Sequence, residues 1–537
     1  MASTANLRSR RSVAQLHALA GVEREIHTQD SHGRRKYLRE FTEAFTTYDS
    51  VLDSQEVQTA LSAADVVLIG DYHALPACQR YAASTVEQRA LAGDRPVVLA
   101  VETIFARDQH ILDEWWRREI DENELRHRIR FNLDWGYDWA PFYELLVAAR
   151  DHGEGVYGID CMPRENLRKI GARDRHAAAK IAEIRERHPN AVIFVLFGES
   201  HLAPGHLPRI LRQRLPDEKI LTVLQNIDAL YWRAAGERVE KVEAVRVQDD
   251  VLCVFNATPL EKYESYRLFL DQWSRCESGP DYAPSIYNLI GSLATFLEIN
   301  RHSPHNGTQP KFLVDMLPEV HGKSSDATVR RLLSRKAINS LKLESMLASV
   351  EERGSAYFPE LNAFCIREFQ LGHAAEDAAR FLHQACLGLP KRVNGHHRIG
   401  TGPDEVDNAS TSDNAPTSMD AFYTTVIENA VAYFGSRVLY PARLAPKVDA
   451  SFTLSRASCE KAALAATRAD DDRFDSITQE WGYRLGSLIY DAYLAGRVKP
   501  SGLRRLFLAH LDKPGLARKV CTAVIARLRS TSRAAHA

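Results

Sequence analysis

At 537 residues the chain is too long for a single hydrophobic core, and its length alone implies roughly two to four domains. It holds 69 Lys and Arg against 70 Asp and Glu, and the formal net charge of −1 excludes an overall electrostatic drive toward nucleic acid or anionic membrane. With 45% hydrophobic and 26% charged residues, it has the balance of an ordinary globular protein.

The N-terminus, MASTANLRSRRSVAQLHALAG, is basic but has no apolar run of the kind a secretion signal needs and no cysteine for lipid attachment. Residues 1–60 read as a polar helical arm. No window is apolar for the length that spans a bilayer. The cysteines, among them Cys78, Cys161, Cys253 and Cys276, are scattered singly, without the close spacing of a zinc or redox motif. These features lead to the expectation of a reduced, cytoplasmic protein.

From about residue 61 the pattern changes. Short runs that are apolar on both faces alternate with stretches long enough for crossover helices. The runs are Val66–Ile69, Val97–Val101, Gly155–Ile159, Val192–Phe197 and Ile220–Leu224. Strands buried between helix layers have this composition, and the alternation predicts an α/β domain over 61–278 with a mostly parallel sheet. A hairpin is expected at an edge, from Ala244–Val247 and Val251–Phe255 around Gln248-Asp249-Asp250.

Beyond about Tyr263 the strand signal fades, and residues 279–537 read as mainly helical. Apolar spacing near the helical repeat marks Ala374–Cys386, Ala421–Phe434, Tyr483–Leu494 and Leu503–Leu511. Residues 391–418 are rich in Gly, Pro, Ser, Asn and Asp and are expected to form a mobile loop that a protease cuts first. Arg330-Arg331-Leu332-Leu333-Ser334-Arg335-Lys336 has the charge of a nucleic-acid-binding helix, but a solvated helix face is the plainer reading, and no nucleic-acid partner is expected.

In an open parallel sheet, ligands bind beyond the carboxyl ends of the strands. Each candidate strand here ends in ionisable or amide groups: Gly70-Asp71-Tyr72-His73, Glu102-Thr103, Asp160-Cys161-Met162-Pro163-Arg164, Gly198-Glu199-Ser200-His201 and Gln225-Asn226. Two of these repeat the pattern Gly-acid-x-His. Glycine permits a sharp turn, and two histidines with Asp71, Glu102, Asp160 and Glu199 would converge on one cleft. Such a set suits a divalent metal or a His–carboxylate pair that moves protons. Arg164 suits an anionic group on a ligand, or caps a helix. His206 is a weaker candidate, placed in a turn. The aromatics of DWGYDWAPFY (Trp135, Tyr137, Trp139, Phe142, Tyr143) read either as a packed helix start, with Asp138 as cap and Pro141 in the first turn, or as a wall for a flat ligand.

The residues from about Val66 to Tyr266 resemble the ChaN-like haem-binding domain, part of a wider group with Tiki-type metalloproteases and erythromycin esterases. The resemblance lies in IGDYHALPACQR, VVLAVETIFARDQHILDEW, YGIDCMPREN, FVLFGESHLAPGHLPRIL and VFNATPLEKYESY. It implies a parallel α/β fold with a functional site built by His73, Glu102 and His201, beside Asp71 and Glu199. It also implies a small-molecule ligand, haem or another iron-containing group. The alternative within the same group is a hydrolase. In one form His73, Glu102 and His201 hold Zn or Mn; in the other His73 acts as base, oriented by Glu102 or Asp71. The chain departs from lipoprotein members of the family in its helical C-terminal region and in having no lipobox.

Overall fold

In the computed structural model the described residues are 4–30, 36–161, 170–237, 241–275, 279–299, 313–323, 325–334, 340–387, 418–444, 446, 454–509, 511 and 513–533. The chain divides into two compact units, one of residues 23–276 and one of residues 1–22 with 277–537.

The first unit is built on an eight-stranded sheet. Its strands are β1 (Ser50–Leu52), β2 (Val66–Asp71), β3 (Val97–Phe105), β4 (Gly155–Asp160), β5 (Val192–Gly198), β6 (Ile220–Gln225), β7 (Ala244–Gln248) and β8 (Val251–Val254), in the spatial order β1-β7-β8-β6-β2-β5-β3-β4. From β8 to β4 every neighbouring pair is parallel. The expected hairpin is present as β7 and β8, and β1 extends it antiparallel along β7. With three residues, β1 is too short to leave a periodic signal in the sequence.

The apolar runs fill both faces. Along β3, Val97, Leu99 and Val101 face one core and Val98 and Ala100 the other. The first core is closed by the helices Pro76–Leu91 and Trp139–His152, the second by Ile170–Arg187 and Leu207–Arg214. Burial of these continuous Val, Ile and Leu runs on both faces is what makes a parallel sheet stable here. At the β3–β4 edge the register shifts between Val101 and Phe105. An added Cβ at Gly158 would sit 2.7 Å from the Ile104 carbonyl oxygen, so only glycine lets the two strands stay paired through the shift.

The second unit is mainly helical, with a small sheet of β9 (Glu319–His321), β10 (Ser355–Phe358) and β11 (Ala363–Ile366). The helix Ser418–Leu439 packs against Leu371–Leu387 and Asp471–Leu494. Gly486 permits one of these approaches, since a Cβ there would lie 2.5 Å from the Ala430 carbonyl oxygen. The stretch expected to be a mobile loop, 391–418, lies outside the described residues except for its last. Among the described residues no helix is long and apolar enough to cross a membrane.

His383 makes this unit acid-sensitive. It is 1% exposed, and its Nδ1–H donates to the Phe507 carbonyl at 2.9 Å. Burial holds its pKa down at about 4 against an ordinary 6.5. The unfolded chain therefore takes up a proton that the folded unit refuses, and stability falls as pH drops from 6.5 toward 4. From this group alone, urea unfolding should show a loss of about 2 kcal/mol between pH 7 and pH 5. His383→Gln, which keeps the bond to Phe507, should remove that loss.

Candidate functional site

The central strands bring the two Gly-acid-x-His segments together. β2 and β5 are adjacent, and Asp71 is in register with Gly198. β3 lies on the other side of β5 and delivers Glu102 at the same level. His73, Glu102 and His201 meet around Gly198. A Cβ there would stand 3.0 Å from Glu102 Oε2, 3.4 Å from His73 Nε2 and 3.6 Å from His201 Cδ2. The glycine is needed because the space above it is already taken by the site. At Gly70 the nearest atom would be at 3.4 Å, ordinary contact, so the two copies of the motif are not equivalent.

Their acids also differ. Asp71 serves its own histidine, with Oδ2 2.7 Å from His73 Nδ1 and Oδ1 accepting from Gln79. A carboxylate only accepts, so His73 carries its proton on Nδ1, and Nε2 is turned toward Glu102 Oε2 at 3.6 Å. Glu199 turns away and accepts from Lys262 Nζ at 3.1 and 3.2 Å. Lys262 in turn lies 4.6 Å from the centre of the Tyr72 ring. Burial pushes the Glu199 carboxyl up, against the pull of Lys262.

The sequence reading missed the cation at the centre. Arg173, 6% exposed on the helix Ile170–Arg187, grips Asp160 at 2.9 and 2.7 Å and donates to Glu102. Its Nη1 lies 3.4 Å from His201 Nε2. Burial alone would raise the Glu102 pKa. Arg173, then His73 and His201, and the Gly198 N–H at 2.5 Å hold it instead at about 2. Asp160 shares the same guanidinium but goes the other way, pushed up by burial and by the charge of Glu102. The same guanidinium thus lowers the Glu102 pKa on balance but does not offset burial at Asp160. Beside Arg173, Asp174 is fully buried and joins His201 to His206, with Oδ1 2.5 Å from His201 Nδ1 and Oδ2 2.9 Å from His206 Nδ1. The weaker candidate His206 thus belongs to the network.

This arrangement does not suit a divalent metal on His73, Glu102 and His201. Among the described residues no group of three or more His, Cys, Asp and Glu side chains is placed to hold one. The guanidinium of Arg173 occupies the position between Glu102 and His201 that the ion would need, and its charge would repel it. Arg164 lies outside the described residues.

The aromatic stretch divides between its two readings. Asp138 caps the helix from Trp139 by accepting from the Ala140 N–H at 3.3 Å, and Trp139 and Phe142 enter the core. Trp135, itself in that core, and Tyr137 at its margin flank His73, with ring centroids at 5.3 and 5.2 Å. Tyr137 stacks on Phe269 at 4.3 Å, and Phe269 neighbours Tyr266 and Trp273, both at 6.0 Å. Tyr266, Phe269 and Trp273 share one face of the helix Pro259–Arg275, which opens with Thr258 accepting from the Glu261 N–H at 3.2 Å. Trp273 is 53% exposed. A separate cavity of about 750 Å³ opens at the opposite, amino end of the sheet, among Asp53, Thr59, Ala63, Lys219 and Arg246. It contains none of the groups just described, so chemistry rather than size identifies the site.

Residues 57–193 match the family described as haem-binding uptake, Tiki superfamily, ChaN. Among solved structures the chain is similar to ChaN of Campylobacter jejuni, described with cofacially bound heme, at 16% identity over 37% of this chain and 91% of that one, with a TM-score of 0.27. It is also similar to the type III effector HopBA1, at 15% identity over 39% of this chain and 96% of that one, with a TM-score of 0.30. No curated protein matches the chain. The match of residues 57–193, which lies within the unit of residues 23–276, makes that part of the chain similar to ChaN-like domains of the Tiki superfamily.

Proposed function

We propose that the α/β unit binds a flat, conjugated small molecule at the carboxyl ends of β2, β3 and β5, and that haem or a related iron tetrapyrrole is that ligand. The observation that carries this reading is the run of rings leading from His73 through Tyr137 and Phe269 to the exposed Trp273. Such a run offers a conjugated ligand apolar contact and stacking at little cost in side-chain ordering. His73 and Tyr137 are the members of the run whose atoms can ligate iron, and they would hold the group at its inner end. The family description of residues 57–193 supports the same ligand class. Bound haem would bring its own absorbance and redox chemistry, while the chain supplies orientation and a polar floor.

Titration of the purified protein with hemin should produce a shifted Soret band that saturates at one site. His73→Ala and Tyr137→Phe should each weaken binding about tenfold or more, the loss of one good contact of about 1.4 kcal/mol. His73 rather than His201 is the residue to test, because its side chain is 15% exposed against 5% for His201. Unsaturable binding that is indifferent to both substitutions would refute the reading.

A second reading has its own support. Asp71, His73 and Glu102 form a metal-free set in which Asp71 orients His73 through Nδ1 and His73 would act as the base toward a nucleophile. A hydrolase built this way would cleave esters in the presence of a chelator and lose activity in His73→Ala. Abolition of such activity by the chelator would rule it out.

A further inference from the structure

The helix layer over the second core carries an unbroken line of proton-exchanging groups from the site to the surface. It starts at His201, 4% exposed, whose Nδ1 is 2.5 Å from Asp174 Oδ1. The other oxygen of Asp174 is 2.9 Å from His206 Nδ1. His206 Nε2 is 3.4 Å from Glu40 Oε2, and the Glu40 side chain is 44% exposed. Asp174 is 0% exposed, yet both its oxygens face imidazoles rather than a permanent cation. A buried carboxylate used only for packing or pairing is best served by Arg, as Arg173 serves Asp160 one residue away. Imidazole and carboxylate can each both accept and release a proton.

We propose that Asp174, His206 and Glu40 form a proton path between solvent and His201, so that the buried site exchanges protons without opening. The outward shift starts with the proton of the Asp174–His206 hydrogen bond on Asp174 Oδ2 and that of His206 on Nε2. His201 accepts a proton on Nε2 and gives the one on Nδ1 to Asp174 Oδ1, while Oδ2 gives its own to His206 Nδ1 and His206 releases the one on Nε2 to Glu40 and from there to water. One proton enters, one leaves, and no bond between heavy atoms changes. Arg173 Nη1 lies 3.4 Å from His201 Nε2, so the nitrogen of His201 that faces the relay is Nδ1. The path is independent of which ligand the site takes.

The test is made on the ligand-free chain. The His201 Nδ1 proton, in a bond of 2.5 Å to Asp174 Oδ1, should give a far-downfield proton resonance. Its exchange with water is followed by magnetisation transfer in the native protein, in His206→Gln, and in His206→Phe. Gln keeps polar contact with Asp174 but cannot relay a proton, and Phe keeps a ring there without any proton-exchanging atom. Both should slow exchange about 100-fold, the lower end of what a positioned acid or base contributes, with the resonance position unchanged. If His206→Phe does not fold, His206→Gln decides alone. Exchange at the native rate in a folded variant would overturn the path and leave Asp174 as a residue that only positions His201. Hemin binding, measured separately, can succeed or fail whatever this result.

Discussion

Arg173→Met should destabilise the α/β unit by about 3–5 kcal/mol, the cost of removing one partner from a buried ion network. Met replaces the aliphatic stem of Arg173 but not its guanidinium, so the loss falls at the carboxylates. What remains is Glu102, 2% exposed, and Asp160, 1% exposed, with no cation between them. Burial already pushes Asp160 up, and Glu102 stays down chiefly because Arg173 is there. Without the guanidinium both folded-state pKa values should lie above their unfolded values. Such groups stabilise the folded form at low pH and lose that contribution as pH rises through the folded pKa. The deficit of the variant should therefore be largest near pH 8 and shrink toward pH 5. Chemical denaturation of both proteins at the two pH values measures it. A deficit under about 1 kcal/mol, independent of pH, would mean that Arg173 is not the counter-charge of the site.

In the helical unit, Glu376→Gln should cost about 3–5 kcal/mol for the same reason with the signs exchanged. Glu376 is 0% exposed. It accepts from Arg380 at 2.8 Å, from Arg443 at 2.5 Å and from Tyr483 at 2.8 and 2.9 Å, with Arg353 at 3.3 Å. Burial favours its neutral form, but Arg353, Arg443 and Arg380 together hold its pKa well below the carboxylate range. Gln keeps the shape and some hydrogen bonds, yet removes the carboxylate that three guanidinia share. The native group stabilises above its ordinary pKa and loses that contribution as pH falls through the depressed value. The difference between native and variant should accordingly narrow in strong acid. A melting temperature within a degree or two of native at neutral pH would contradict this.

The sheet was legible because its physics is local. Buried parallel strands need continuous apolar runs, and β2 to β6 show them; Asp71, His73, Glu102 and His201 follow directly from strand ends. Gln248-Asp249-Asp250 also announced the edge hairpin. The structure adds what depends on distant partners. Arg173 and Asp174 sit in the middle of a helix sequence with no motif. Their one signal is periodicity: they extend, by a turn, the buried face of Ala177, Ala178, Ile181 and Ile184, and charges on such a face must find partners. The same oversight made a metal look plausible, because a residue that fills the space between Glu102 and His201 cannot be seen from the acids and histidines alone. Glu199 was misleading in a different way. It matches Asp71 in the repeated motif, but Lys262, far along the chain, draws it off the site.

Locating the bound ligand tests the central claim most directly. With hemin soaked into crystals of the protein, iron anomalous scattering should give a single peak at the carboxyl ends of β2 and β5, within ligand contact of His73 or Tyr137. A peak instead in the 750 Å³ cavity at the amino end of the sheet, among Asp53, Ala63 and Lys219, would contradict the account.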